Sequence, residues 1–232
     1  MKTLIYVPVI HSSADLGSLA KEVTKRGIAG LGEDFWKKHT KTVDGFWNAV
    51  SHYFSSIEIS GMKIYQDGMI VDGEVGQKIV EEGVKAGSKN YKLVSRLLKR
   101  GAILVKTEDF KLVKEERDRL LTITQAKSIA QKFFAFIKYK LTQNRLLNTR
   151  DAFITKRIDE TLDHSETGIL FIGAYHNIKN KLPKSIHARE IKNTEKVREY
   201  QQLLPFYNKN KRHFEELARY LISPINLEGY KL

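Results

Sequence analysis

The chain has 232 residues, 41% of them hydrophobic and 29% charged, and it contains no cysteine. That length can bury a core without covalent staples, and the composition excludes disorder, disulfides, thiol chemistry and thiolate metal sites. A formal net charge of +13 at pH 7 favours anionic partners such as nucleic acid, a lipid surface or a phosphorylated small molecule.

Residues 3–10 predict a first strand, because Leu4-Ile5-Tyr6-Val7-Pro8-Val9-Ile10 is a short β-branched and aromatic run that ends at His11. The run is too short to span a bilayer, and it lacks a basic leader and a small-residue cleavage site, so the cytoplasm is the expected compartment. A helix from Leu16 to Arg26 follows, with Ser13 or Asp15 as its cap. Glycines punctuate residues 27–33 and predict a loop. Phe35, Trp36, Phe46, Trp47, Val50 and Phe54 recur at near-helical spacing and predict a second helix over 34–56, broken at Gly45.

Met62 to Gly68 predicts a second strand that ends in Asp67. Helices are expected over Gly76–Lys85 and Tyr91–Arg100, with Gly87-Ser88-Lys89-Asn90 as the stop and restart between them. Ala102–Val105 predicts a third strand, running into Lys106-Thr107-Glu108-Asp109. From Lys111 to Leu162 the pattern is helical, with an interruption expected at Asn148-Thr149. Ile169-Leu170-Phe171-Ile172-Gly173-Ala174-Tyr175 predicts a fourth strand ending at His176, and His187–Ile191 a fifth. Glu195–Leu221 is helical, broken near Pro205. Alternating strands and helices predict a single α/β domain over 1–232 with a mostly parallel open sheet, in which 111–162 forms a mainly helical insertion or cap.

In such a sheet the carboxyl ends of the strands form the ligand crevice. Four predicted strands deliver ionisable groups there: His11, Asp67, Glu108 and His176. Two imidazoles with one or two carboxylates suit a divalent ion such as Mn, Zn, Co or Fe, for which His11, His176 and Asp67 are the candidate ligands. Such an ion would polarise a substrate oxygen and activate water; without it, a histidine with an aspartate partner is a general base. Asp67-Gly68 also reads as a plain turn and Glu108 as a helix cap. No Walker A sequence occurs, no G-x-G-x-x-G follows a strand, and no G-x-S-x-G elbow is present, which argues against nucleotide kinases and serine hydrolases.

Between Ala126 and Thr149 there are five cations, Lys127, Lys132, Lys138, Lys140 and Arg145, and no acid. The interleaved Phe133, Phe134, Phe136 and Tyr139 read most simply as the buried side of an amphipathic helix. The cations would then form a stripe that steers an anionic substrate, or that binds nucleic acid.

Arg150-Asp151, followed by Arg157-Ile158-Asp159-Glu160-Thr161-Leu162 and by Gly173-Ala174-Tyr175-His176, resembles the second half of the TraB/ChaN/erythromycin-esterase-like superfamily. There an arginine-led helix precedes a strand with a G-x-x-H motif. The resemblance implies an α/β fold and a metal-dependent hydrolase, with haem carriage as a further property of some members. Gly173, His176 and Arg150 match that pattern. His11 matches in place, although Pro8 stands where the family has glycine, and Asp67 stands where it prefers glutamate. The expected function is therefore a metal-assisted hydrolase of an anionic small molecule or peptide. His11, His176 and Asp67 or Glu108 would hold the ion or activate water, Arg150 would orient an anionic group, and Lys106 would stabilise developing negative charge. Tyr65 and Tyr175 are candidate pocket residues. Nucleic-acid binding through the basic stripe is the alternative.

Overall fold

A computed structural model describes residues 1–12, 14–15, 20–125 and 129–226. Five strands, β1 (Lys2–Val9), β2 (Lys63–Gln66), β3 (Ile103–Val105), β4 (Thr167–Gly173) and β5 (Ile186–Glu190), form one sheet in the order β3-β2-β4-β1-β5. Every pairing is parallel, so the fold is α/β. The helices are α1 (Ala20–Leu31), α2 (Glu33–Ser55), α3 (Gly73–Lys85), α4 (Lys89–Lys99), α5 (Phe110–Gln125), α6 (Ile129–Thr161), α7 (Thr194–Leu203) and α8 (Lys211–Ile222), with a 3-10 turn over Leu204–Lys209 at Pro205.

Because side chains alternate along a strand, each strand feeds two cores. On one face Ile5, Val7, Ile64, Ile169 and Phe171 meet Phe46, Trp47 and Val50 of α2 with Leu93 and Leu97 of α4, and Val197, Phe214 and Leu217 of α7 and α8 join the same core. On the other face Leu4, Tyr6, Tyr65, Leu170 and Ile172 meet Ile154, Ile158 and Leu162, a stripe at helical spacing along and just beyond the end of α6. Each such fully buried aliphatic side chain contributes about 1.5–3 kcal/mol. Pro8 fits within β1 because the pairing of β1 with β5 ends at Tyr6, so the missing N–H falls beyond that ladder.

Three predicted breaks are absent. Residues 27–31 belong to α1 rather than to a loop: a Cβ on Gly27 would lie 2.2 Å from the ring of Trp36, so that glycine serves close packing. The turn comes one residue after α1, at Gly32, where φ is 88°. Gly45 lies inside a continuous α2, and its bare Cα receives Ile222, whose Cγ2 would stand 2.6 Å from an added Cβ. Asn148 and Thr149 lie inside α6, where the Thr149 hydroxyl donates to the carbonyl of Arg145 at 2.9 Å. The carboxylate of Asp15 accepts from Ser12 N at 2.6 Å and from the Ser88 hydroxyl, pinning the loop after β1 to the start of α4. Ser13 and residues 16–19 lie outside the described residues. Among the described residues no helix is long and apolar enough to cross a membrane.

The topology sets where a ligand can enter. From β1 the chain passes over β4 to reach β2, whereas from β4 it passes over β1 to reach β5. Connections that leave adjacent strands in opposite directions open a crevice at their carboxyl ends. His11 follows β1, and His176 follows β4, on either side of that point.

Candidate active site

The carboxyl ends of β2, β3 and β4 meet the middle of α6 in a buried cluster of charges. Arg150 is its hub and is 4% exposed. Its Nε donates to Glu108 Oε2 at 3.0 Å, and one terminal nitrogen donates to Glu108 Oε1 and to Asp67 Oδ1, the latter at 2.8 Å. The other terminal nitrogen donates to Glu116 of α5. Glu108 is fully buried, and Gly68 N also points at it, at 3.3 Å. The planar fork of arginine is what allows one side chain to serve three carboxylates.

The adjacent residue on α6 does a different job. Asp151 Oδ1 lies 2.6 Å from His176 Nδ1, while its Oδ2 accepts from Asn177 N at 2.9 Å and from Lys181 Nζ at 3.1 Å. An ionised carboxylate only accepts, so Nδ1 of His176 carries the proton and the lone pair of the neutral ring sits on Nε2. That nitrogen faces Asp67 Oδ2 at 3.7 Å, close enough for ion pairing and too far for a hydrogen bond. Asp67 Oδ2 is itself fixed by Gly173 N at 3.0 Å. A Cβ on Gly173 would stand 3.2 Å from the same oxygen, so glycine there lets the carboxylate approach the end of β4.

Four carboxylates (Asp67, Glu108, Glu116, Asp151) thus surround two permanent cations, Arg150 and Lys181. The excess of negative charge shows in the ionisation of each group. For His176, burial favours the neutral ring, but the charge of Asp67 and the bond to Asp151 outweigh it and raise its pKa. For Asp67, burial opposes ionisation, yet His176, Arg150 and His11 together hold the carboxyl well below its usual range. Asp151 is likewise depressed, its burial overcome by the bonds from His176 and Asn177. Arg150 is raised, its burial outweighed by Glu108, Asp67 and Glu116. Glu108 goes the other way: burial, reinforced by the charge of Asp67, exceeds the pull of Arg150 and pushes it up to about 7. Two neighbouring carboxyls are therefore driven in opposite directions, a pattern that separates an ionised role from a protonated one.

Of the residues singled out in the sequence, Asp67, Glu108, Arg150 and His176 come together. His11 does not join them. It is exposed, acts on Asp67 through its charge, and lines a cavity between the end of β1, α2 and α7 that His176 does not line. Lys106 follows β3 on the edge of the sheet, and its carbonyl accepts from Arg157 Nε at 3.3 Å. Tyr65 is buried, and its hydroxyl pairs with Thr161 Oγ1 at 2.9 Å, whereas Tyr175 is half exposed beside His176. The cap of α5 is Asp109, whose Oδ1 accepts from Lys111 N at 2.8 Å, which leaves Glu108 to the cluster. Asp151, Glu116 and Lys181 were not anticipated. Asp151 had a legible signal, an acid beside the arginine that leads toward a G-x-x-H motif; Glu116 and Lys181 had none.

Among the described residues no group of three or more His, Asp or Glu side chains is disposed to hold an ion. The guanidinium of Arg150 already occupies Glu108 and one oxygen of Asp67, and it supplies the positive charge an ion would bring. Of the basic stripe, Lys127 lies outside the described residues, and so do the side chains of Lys132, Lys138 and Lys140; Arg145 is exposed on α6.

No family model, no curated protein and no solved structure matches the chain.

Proposed function

We propose that the protein is a hydrolase of an ester in which His176 is the general base. The observation that carries this reading is the orientation of one imidazole, with Nδ1 held on Asp151 at 2.6 Å and Nε2 turned toward the sheet edge and Asp67. A base oriented by a carboxylate on its far nitrogen is a recurring solution for taking a proton from water or a hydroxyl. In the proposed step water gives a proton to Nε2 as its oxygen attacks the ester. The imidazolium, stabilised by Asp67 and Asp151, then returns the proton to the departing oxygen. Arg150 and Gly173 N position Asp67, and Glu108 and Glu116 hold Arg150. No step requires a metal ion.

The resemblance of residues 150–182 to the TraB/ChaN/erythromycin-esterase-like superfamily belongs to the same reading, since its matched arginine and histidine are the two ends of this cluster. It is tested by assaying the purified protein against nitrophenyl carboxylic and phosphoric esters. Turnover by the wild type that falls at least a hundredfold in His176→Asn, with the melting transition retained, is the expected result. Absence of turnover on every ester, or equal turnover by the variant, would refute it.

A further inference from the structure

The helix α7 is bonded to the carboxyl ends of both strands that flank the crevice. Gln201 gives its amide nitrogen to the carbonyl of Val9 at 3.4 Å, and Arg198, one turn earlier, gives Nε to the carbonyl of Ala174 at 2.9 Å. Val9 and Gly173 are register partners of β1 and β4, so Arg198 stands where the strand order switches and a ligand enters. Ala174 lies in the turn that leads to the base, closed by His176 N on the carbonyl of Gly173 at 3.0 Å. The bond through Nε leaves the terminal nitrogens of Arg198 over, and among the described residues they have no hydrogen-bond or carboxylate partner. The side chain is half-buried, with those nitrogens open to solvent. Arg150, by contrast, is consumed by three carboxylates.

Two phenols register where this charge sits. Burial raises the pKa of Tyr175, and Arg198 pulls it back. Burial also raises that of Tyr6, Glu190 and Asp151 add to the rise, and Arg198 opposes them. The open guanidinium therefore shares its surroundings with the carboxylate that orients His176. An anionic ligand approaching His176 meets an excess of carboxylates, and a cation outside that cluster offsets the repulsion. We infer that Arg198 binds a non-reacting oxyanion, a carboxylate or phosphate group, on the ester that His176 hydrolyses. Its terminal nitrogens present a planar fork that matches either group, and the tie to Ala174 fixes that fork relative to the backbone carrying the base. As a statement of substrate class the inference rests on the hydrolytic reading above; as an anion site it is tested separately.

Anion binding is read first, without turnover. At equal ionic strength, glutarate or inorganic phosphate should raise the melting temperature of the wild type above the chloride reference by mass action. Arg198→Gln should lower the affinity about tenfold, whereas Arg212→Gln, which removes the same charge from an exposed site on α8, should leave it unchanged. Arg198→Lys, which keeps the charge and loses the fork, should fall between them, and it replaces the first variant should that one not fold. The tighter of the two anions identifies the group. Turnover is then compared between nitrophenyl butyrate and analogues that end in a carboxylate or a phosphate. The kcat/KM of the wild type should favour a charged ester about tenfold, and in Arg198→Gln the ratio should approach one. No stabilisation by either anion beyond chloride, or equal stabilisation of Arg198→Gln and the wild type, overturns the inference. Anion binding that depends on Arg198 in a protein that hydrolyses no ester refutes the catalytic reading alone; hydrolysis at equal rates on charged and neutral esters refutes this one alone.

Discussion

The two halves of the sheet's carboxyl edge are built differently. On the β3-β2-β4 side the ionisable groups are buried and paired: Arg150 touches three carboxylates, and both oxygens of Asp151 are engaged. On the β1 side His11 is exposed beside a cavity lined also by Trp36, His39 and Asp44. A saturated cluster holds a few atoms in fixed positions, whereas an exposed side chain beside an open cavity is not held in that way. The proposed hydrolysis uses the first half.

Removing the hub should break that contrast most severely. Arg150→Met leaves Glu108 and Asp67 buried or nearly so without their counter-charge, and a loss of about 3–5 kcal/mol in urea unfolding is expected. Arg150→Lys should recover little of it, because a point charge cannot reproduce the fork. Next in size is Gly173→Ala. Its added methyl meets Asp67 Oδ2, which Gly173 N holds while Arg150 holds Oδ1, so the carboxylate cannot swing aside and about 1–3 kcal/mol of destabilisation is expected, again by urea titration.

The pH dependence of stability sharpens the comparison further. His176 has a folded pKa above its ordinary value of 6.5, so its stabilising contribution is complete below 6.5 and is lost as pH rises through the folded pKa. Glu108 binds its proton more tightly folded than unfolded between 4.5 and about 7, so stability falls with rising pH across that window as well. The depressed pKa values of Asp67 and Asp151 act oppositely and cost stability once pH falls below the usual range near 3.8. Stability should therefore peak at mildly acidic pH. In Glu108→Gln the decline from pH 5 to 7 should flatten, as read from unfolding midpoints; an unchanged slope would show that Glu108 ionises normally. The smallest effect is expected at the open side, where His11→Ala should change stability by no more than about 0.5 kcal/mol while altering turnover of an ester substrate.

Most of this fold is legible in the residue pattern. The strand runs, the helix restart at Ser88 and the break at Pro205 all follow from local chemistry. The glycines misled: Gly27 and Gly45 resemble breakers, yet each lies in a helix because another side chain needs its space, a tertiary fact with no local signature. At the site, strand-end polarity was enough to place Asp67, Glu108 and His176 on one edge. It could not distinguish the two histidines, since a residue's depth at the edge depends on which helices cover it. Asp151 hid in plain sight as the neighbour of Arg150, because one helix turns two consecutive residues toward different partners.

The orientation and ionisation of His176 can be read directly by nitrogen-detected NMR of the labelled protein across pH 5–9. Wild-type protein should show His176 titrating above 6.5 and, once neutral, carrying its proton on Nδ1 with Nε2 bare; Asp151→Asn should lower that pKa and disturb the tautomer. A neutral ring protonated on Nε2, or a titration below 6.5, would contradict the assignment of this histidine as the base.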